Sequence, residues 1–234
     1  MQRFFVEPSQ IDEGAHQIQI TGSDVKHIVN VLRMKTGEEL WISDGDKKEY
    51  HCTIEAIDAE EVCLHILYSQ EPDYELPNKI YLFQGLPKAD KMELIIQKAV
   101  ELGASAVVPV ATKNAVVRLD EKKAQAKKKR WQAIAESAAK QSKRSRIPQV
   151  ELVMTLKEAF SFVHDREFGL CLIPYEQEKG MDAMKQALEK TAPGQKIAVF
   201  IGPEGGFDEG EIRQALEMGV CPVSLGSRIL RTET

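Results

Sequence analysis

Along residues 1–72 apolar and polar positions alternate in short runs, HQIQITG, EELWISDG, EYHCTIEAID and EVCLHILY, most of them ended by Gly or Asp. A period of two places successive side chains on opposite faces, so these runs predict short strands of a small β sheet or barrel with one buried face. Between the first two, SDVKHIVNVLRMKTGE changes period: Val25, Ile28, Val29 and Leu32 have the spacing of a short amphipathic helix, capped by Ser23 and ended near Gly37. The segment SQEPDYELPN, with two prolines among acids, reads as a linker.

From Lys79 onward strand-like and helix-like patterns take turns. KIYLFQ, AVVPV, FGLCLIP, KIAVFIG and VCPVSLG are continuous apolar runs. KMELIIQKAVELG, EKKAQAKKKRWQAIAESAAKQSKR, TLKEAFSFV, MDAMKQALEK and DEGEIRQALEMG are helix-like, the second of them ended before Pro148. Alternation of this kind predicts a largely parallel sheet covered by helices on both faces. The expected division is therefore residues 1–72 as a β domain and 73–234 as an α/β domain.

The composition, 43% hydrophobic and 29% charged, is that of a folded globular chain. MQRFFVEPSQ has no apolar core after a basic start, and no apolar run approaches the roughly 18 residues of a membrane span, so a cytoplasmic protein without membrane contact is expected. The four cysteines, Cys52, Cys63, Cys171 and Cys221, form no C-x-x-C pair, and the five histidines are dispersed; buried free thiols and no metal are expected.

Net charge is −5, an argument against a general polyanion binder, yet charge is unevenly placed. Lys122, Lys123, Lys127, Lys128, Lys129, Arg130, Lys140, Lys143, Arg144 and Arg146 follow one another against the single acid Glu136. A solvated helix face mixes signs, so a one-signed block points to a phosphate-rich partner.

The sharpest local signal is KIAVFIGPEGGFDEGEI, where the strand ending at Ile201 meets Gly202, Pro203, Glu204, Gly205 and Gly206 before a helix that starts near Asp208. In open α/β sheets ligands bind beyond the carboxyl ends of strands, and glycines let the backbone approach them; a plain turn with Asp208 as N-cap fits the spacing equally. The segment is neither G-x-G-x-x-G nor a P-loop. Two further strand-end loops, Pro174-Tyr175-Glu176 after Leu170–Ile173 and Gly226 within VSLGSRILRTET, would with it enclose one ligand.

FIGPEGGFDEGEI together with SLGSRILRTET resembles the RsmE-like branch of the SPOUT methyltransferases, which methylate N3 of a uridine in small-subunit ribosomal RNA. RFFV, HIVNVLRMKTGEEL, LPKADKMELIIQKAVELGASAVVPV and WQAIAESAAKQSKRSRIP match in the same order, so the likeness covers nearly the whole chain. It implies a PUA-like β-barrel domain, then an α/β domain with a deep trefoil knot, working as a homodimer on ribosomal RNA or the small ribosomal subunit. Periodicity does not predict a knot. In relatives the RTET motif continues into a helix that completes the knot, whereas Thr234 is the last residue here, so that helix is expected to be cut short.

The resemblance implies S-adenosylmethionine as cofactor, its adenosine among Ile173, Pro174, Ile201, Gly202, Gly205, Leu225, Gly226, Ile229 and Leu230. Uracil N3 must lose a proton, which calls for a carboxylate or for a cation near the carbonyl oxygens. Glu204 and Arg231 are the nearest such groups in the two motifs, although a helix N-terminal acid and a structural arginine explain them as well. Arg3, Arg33, Lys88, Lys91, Arg144 and Arg146 match basic positions of the family and are expected to grip RNA phosphates. A non-catalytic RNA-binding or ribosome-assembly protein, and a SPOUT enzyme acting on another nucleoside, remain the alternatives.

Overall fold

A computed structural model describes residues 1–72 and 74–234; residue 73, within the expected linker, lies outside it. The chain forms two compact units, residues 1–75 with 139–147, and residues 76–138 with 148–234.

The first unit is a six-stranded sheet in the order β1-β4-β5-β6-β3-β2: β1 (Arg3–Phe5), β2 (Ile11–Asp12), β3 (Gln17–Thr21), β4 (Glu39–Ser43), β5 (Glu49–Ile57) and β6 (Glu61–Gln70). It curls as a half-barrel rather than closing, since no ladder joins β1 to β2 among the described residues. Alternation decides the faces. Ile18 and Ile20 are buried between exposed Gln17, Gln19 and Thr21, and they join Leu40, Ile42, Cys52, Ile54, Val62 and Leu64 in one apolar core.

The helical segment differs from its sequence expectation. Gly22, at φ +76°, takes the N-cap position, and Ser23 is the first residue of α1 (Ser23–Lys26). A π-helical turn, His27–Leu32, follows and ends at Arg33 in the left-handed region, φ +55°. The wider turn still brings Val25 and Ile28 into the core and Val29 and Leu32 against it.

Residues 139–147 complete this unit. Ser43 Oγ donates to the carbonyl of Ser145 (2.8 Å), and Arg144, 4% exposed, pairs with Glu75. Arg3 pairs with fully buried Glu49 and also reaches the carbonyl of Lys143 (3.5 Å).

The second unit is a parallel sheet, β10-β8-β7-β12-β11-β13, with β9 also on β8: β7 (Lys79–Gly85), β8 (Ala106–Ala111), β9 (Gln149–Val150), β10 (Met154–Thr155), β11 (Leu170–Pro174), β12 (Lys196–Ile201) and β13 (Cys221–Val223). The helices are α2 (Lys91–Glu101), α3 (Glu121–Gln141), α4 (Leu156–Asp165), α5 (Asp182–Glu189) and α6 (Glu209–Glu217). Ala106–Val110 of β8 is buried without a break, as expected of a strand covered on both faces.

One core cluster joins Phe83, Val108, Ala198 and Phe200 to Phe160 of α4 and Ile212 of α6. Phe83 and Phe200 stack at 4.5 Å and 20°, a geometry that adds about 0.5–1.5 kcal/mol to their burial. Met92, Ile95, Ile96 and Val100 of α2 and Trp131 of α3 are buried outside that cluster.

Candidate active site

Because β7, β12, β11 and β13 are adjacent and parallel, their carboxyl ends open on one edge of the sheet. Gly202–Phe207 follows β12, Tyr175 follows β11, and Ser224 begins the segment after β13. Register sets them side by side: Ile173 pairs with Pro222, Pro174 with Val223, and Ile201 with Gln84 at the end of β7. Tyr175 N donates to the Val223 carbonyl at 2.9 Å.

Close packing shapes the glycine loop. A Cβ on Gly85 would stand 2.6 Å from Pro203 Cδ and 2.7 Å from its nitrogen, and one on Gly202 would stand 3.1 Å from the Gly206 backbone. Only glycine admits such an approach. Asn114, after β8, donates through Nδ2 to the carbonyls of Gly205 (3.0 Å) and Gly206 (3.3 Å). Asp208 caps α6 by accepting from Gly210 N, and Glu211 closes the capping box.

The last residues return to this loop. Thr232 Oγ1 donates to the Gly202 carbonyl at 2.6 Å and accepts from Gln84 Nε2 at 2.9 Å. Lys91 Nζ, at the start of α2, lies 3.1 Å from Glu204 Oε1 and 3.3 Å from Glu233 Oε2. Glu204 also accepts from the Lys88 amide at 3.2 Å. Burial works against its charged form, but the backbone hydrogen bonds and Lys91 together outweigh it and hold the carboxyl below its ordinary range. Lys91 is held above its ordinary range, first by its hydrogen bond to Glu204.

The residues named from sequence divide by environment. Ile173 is fully buried in the core cluster, so its side chain packs the sheet and only its backbone reaches the edge. Pro174, Ile201 and Gly202 are half-buried, Gly205 is exposed, and Gly226 is exposed with φ +109°. Leu225 and Leu230 are 43% and 42% exposed and Ile229 is 98% exposed, an apolar segment uncovered at the sheet edge. The Arg231 side chain is 81% exposed, with Glu233 3.9 Å away.

Of the basic residues, Arg33 and Lys88 are exposed and Lys91 is partly engaged as described. Arg146 pairs with Asp46 and keeps 38% side-chain exposure. Arg3 and Arg144 are occupied by Glu49 and Glu75 within the first unit.

Sequence pattern does not single out Gln84 or Asn114, and Thr232 is marked only as part of the RTET motif, with no role of its own. Gln84 carries a signal, a polar side chain ending the apolar run KIYLF; it is 1% exposed. Among the described residues no group of three or more His, Cys, Asp or Glu could hold a metal ion, and no helix is long and apolar enough to cross a membrane.

Comparison with known proteins places the chain in a family. The RNA methyltransferase domain family matches residues 74–234, more than half of the chain. The chain belongs to that family. The RNA methyltransferase PUA domain matches residues 20–67, within the half-barrel. Ribosomal RNA small subunit methyltransferase E of Bacillus subtilis (strain 168) is 40% identical over 240 residues, covering 100% of this chain and 92% of the relative.

Two solved structures carry a methyl donor. Ribosomal RNA small subunit methyltransferase E of Neisseria gonorrhoeae, bound to S-adenosylmethionine, is 32% identical with a TM-score of 0.82, covering 100% of this RNA methyltransferase and 92% of that chain. A Legionella pneumophila protein in complex with the same cofactor is 31% identical with a TM-score of 0.83, over 99% and 91%.

Proposed function

We propose that this RNA methyltransferase uses S-adenosylmethionine to methylate N3 of a uridine in small-subunit ribosomal RNA. The observation that carries the proposal is the convergence of three neighbouring strand ends with a C-terminal segment tied back to Gly202, in a chain whose relatives are small-subunit rRNA methyltransferases and hold that cofactor.

The edge fits the cofactor. Glycines keep Cβ atoms away from the β12 loop, Pro174 offers a backbone carbonyl, Ile201, Gly202, Gly205 and Gly226 offer backbone amides and carbonyls, and Leu225, Ile229 and Leu230 offer apolar cover for an adenosine. The bound cofactor supplies an electrophilic methyl, so the protein's task is alignment and charge control. Arg231, the exposed cation of the C-terminal motif, stabilises charge that develops on the uracil carbonyl oxygens. Glu204, ionised beside Lys91, receives the N3 proton; as a carboxyl held low it is a weak base, so it depends on Arg231.

Arg33, Lys88, Lys91 and Arg146 contact phosphates directly. Arg3 and Arg144, whose side chains are 9% and 5% exposed against Glu49 and Glu75, shape the half-barrel that presents Arg33 and Arg146. The protein works in the cytoplasm, where the small subunit is assembled, as a homodimer. Its α/β domain carries a deep trefoil knot, and the half-barrel is a PUA-like domain to which residues 139–147 also belong. Support for the knot is the passage of residues 224–234 from β13 at the sheet edge back to β12, β7 and α2.

Calorimetry with S-adenosylmethionine, followed by methyl transfer to small-subunit ribosomal RNA and mass spectrometry of the product, tests this reading. Expected are micromolar binding, on the order of −8 kcal/mol, and 3-methyluridine. Absence of cofactor binding would leave a non-catalytic RNA-binding protein, and methyl on another nucleoside would reassign the substrate.

A further inference from the structure

The first half of α3 is charged against the needs of its own helix. Lys122 and Lys123 sit in the first turn, where the helix dipole disfavours cations. Lys123 and Lys127 stand four apart and Lys127 and Arg130 three apart, like-charge spacings that destabilise a helix. Asp120 offsets part of this by accepting from the Lys123 amide (2.8 Å) and by an exposed ion pair with Lys123 (3.1 Å). Lys122, Lys127, Lys128 and Lys129 have no acidic partner among the described residues.

Position gives these charges a direction. Lys122 and Lys129 stand seven residues apart on the solvent face, about 10 Å along the axis, with exposed Ala126 and Ala133 on the same face. Lys123, Lys127 and Arg130 form a parallel stripe. Arg130 Nε lies 2.7 Å from Glu93, in the first turn of α2, two residues from the Lys91 that holds Glu204. That ion pair ties the helix to α2, whose Lys91 stands at the edge where the strand ends converge.

We propose that the N-terminal half of α3 is a docking surface for the RNA phosphate backbone, a sequence-independent grip that leads substrate toward the Glu204 edge. The surface rests on the assignment of RNA as substrate. Its occupant follows from charge: Lys122, Lys127, Lys128 and Lys129, without acidic partners among the described residues, release counterions when they meet a polyanion, and small side chains let a backbone lie close.

The test is the variant Lys122→Gln, Lys127→Gln, Lys129→Gln in the full chain, titrated with transcribed small-subunit ribosomal RNA from about 50 to about 200 mM KCl, where counterion release makes affinity fall steeply. The slope of log affinity against log salt should become shallower by about 2 or 3, about one for each phosphate left unneutralised. Affinity at the low-salt end should fall at least tenfold, while cofactor affinity and helix content stay unchanged. An unchanged slope in the variant, with wild-type RNA binding intact, overturns the docking surface alone. Wild-type protein that binds cofactor but no RNA overturns the substrate assignment with it. Lysine-dependent binding to anionic phosphatidylglycerol vesicles without RNA binding assigns the face to a lipid surface and overturns the proposal.

Discussion

Thr232 Oγ1 donates a 2.6 Å hydrogen bond to the carbonyl oxygen of Gly202, thirty residues earlier in the chain. That bond and the one from Gln84 Nε2 fasten the C-terminal motif to the glycine loop. Thr232→Val keeps the shape and removes both. At about 0.5–1.5 kcal/mol for each of the two neutral hydrogen bonds, cofactor affinity should weaken by roughly fivefold to 150-fold in calorimetry. Unchanged affinity would show that the tether is irrelevant to the site.

Gly85→Ala probes the same loop by sterics alone, because the clash is with the backbone nitrogen and ring of Pro203. Overpacking at a rigid contact costs about 1–3 kcal/mol. Urea unfolding should record that loss, and the displaced loop should bind cofactor more weakly.

Arg231→Met removes the exposed cation of the C-terminal motif while preserving its apolar stem. Loss of one charge-stabilising donor lowers kcat by about 100-fold to 1000-fold. Single-turnover methyl transfer should show that fall with cofactor affinity little changed; a parallel loss of cofactor binding would make Arg231 a structural residue instead.

How far the chain can be read in advance depends on the range of the interaction. Ile18 and Ile20, or the run ending at Ile201, declare their elements because burial acts on neighbouring positions with a fixed period. Gly202 and Asp208 declare a strand-to-helix turn for the same local reason. Arg3 and Arg144 look like two more surface cations, since their acids, Glu49 and Glu75, are forty-six and sixty-nine residues away. Distant pairing leaves no periodic trace. The same holds for Thr232 and Gly202, while the π-helical turn His27–Leu32 keeps an apolar spacing that an ordinary helix would share.

Arg144→Met strands the carboxylate of Glu75, and Arg3→Met strands that of Glu49, whose side chain is wholly buried. Breaking a buried pair on one side costs about 3–5 kcal/mol, and replacing both partners with apolar residues restores most of it. Chemical denaturation of Arg3→Met against Arg3→Met/Glu49→Leu should show that recovery.

Burial pushes the Cys52 thiol up to about 12 and the Cys171 thiol up to about 11. At pH 8 both should react with iodoacetamide far more slowly in the native protein than after unfolding in urea. Their neutral form supports folding fully below pH 9, the ordinary thiol value in these surroundings, and that support is lost as pH climbs from there through about 11 and 12. Native stability should therefore decline on the alkaline side across that window.

Because residues 139–147 belong with the half-barrel, the N-terminal module is not a contiguous stretch of gene. A fragment ending at residue 75 leaves behind the guanidinium that answers Glu75 and the carbonyl that receives the Ser43 hydroxyl. Excision or transplantation of this module succeeds only when residues 139–147, the end of α3 and the loop after it, travel with it, so its inheritance is bound to that of the catalytic domain.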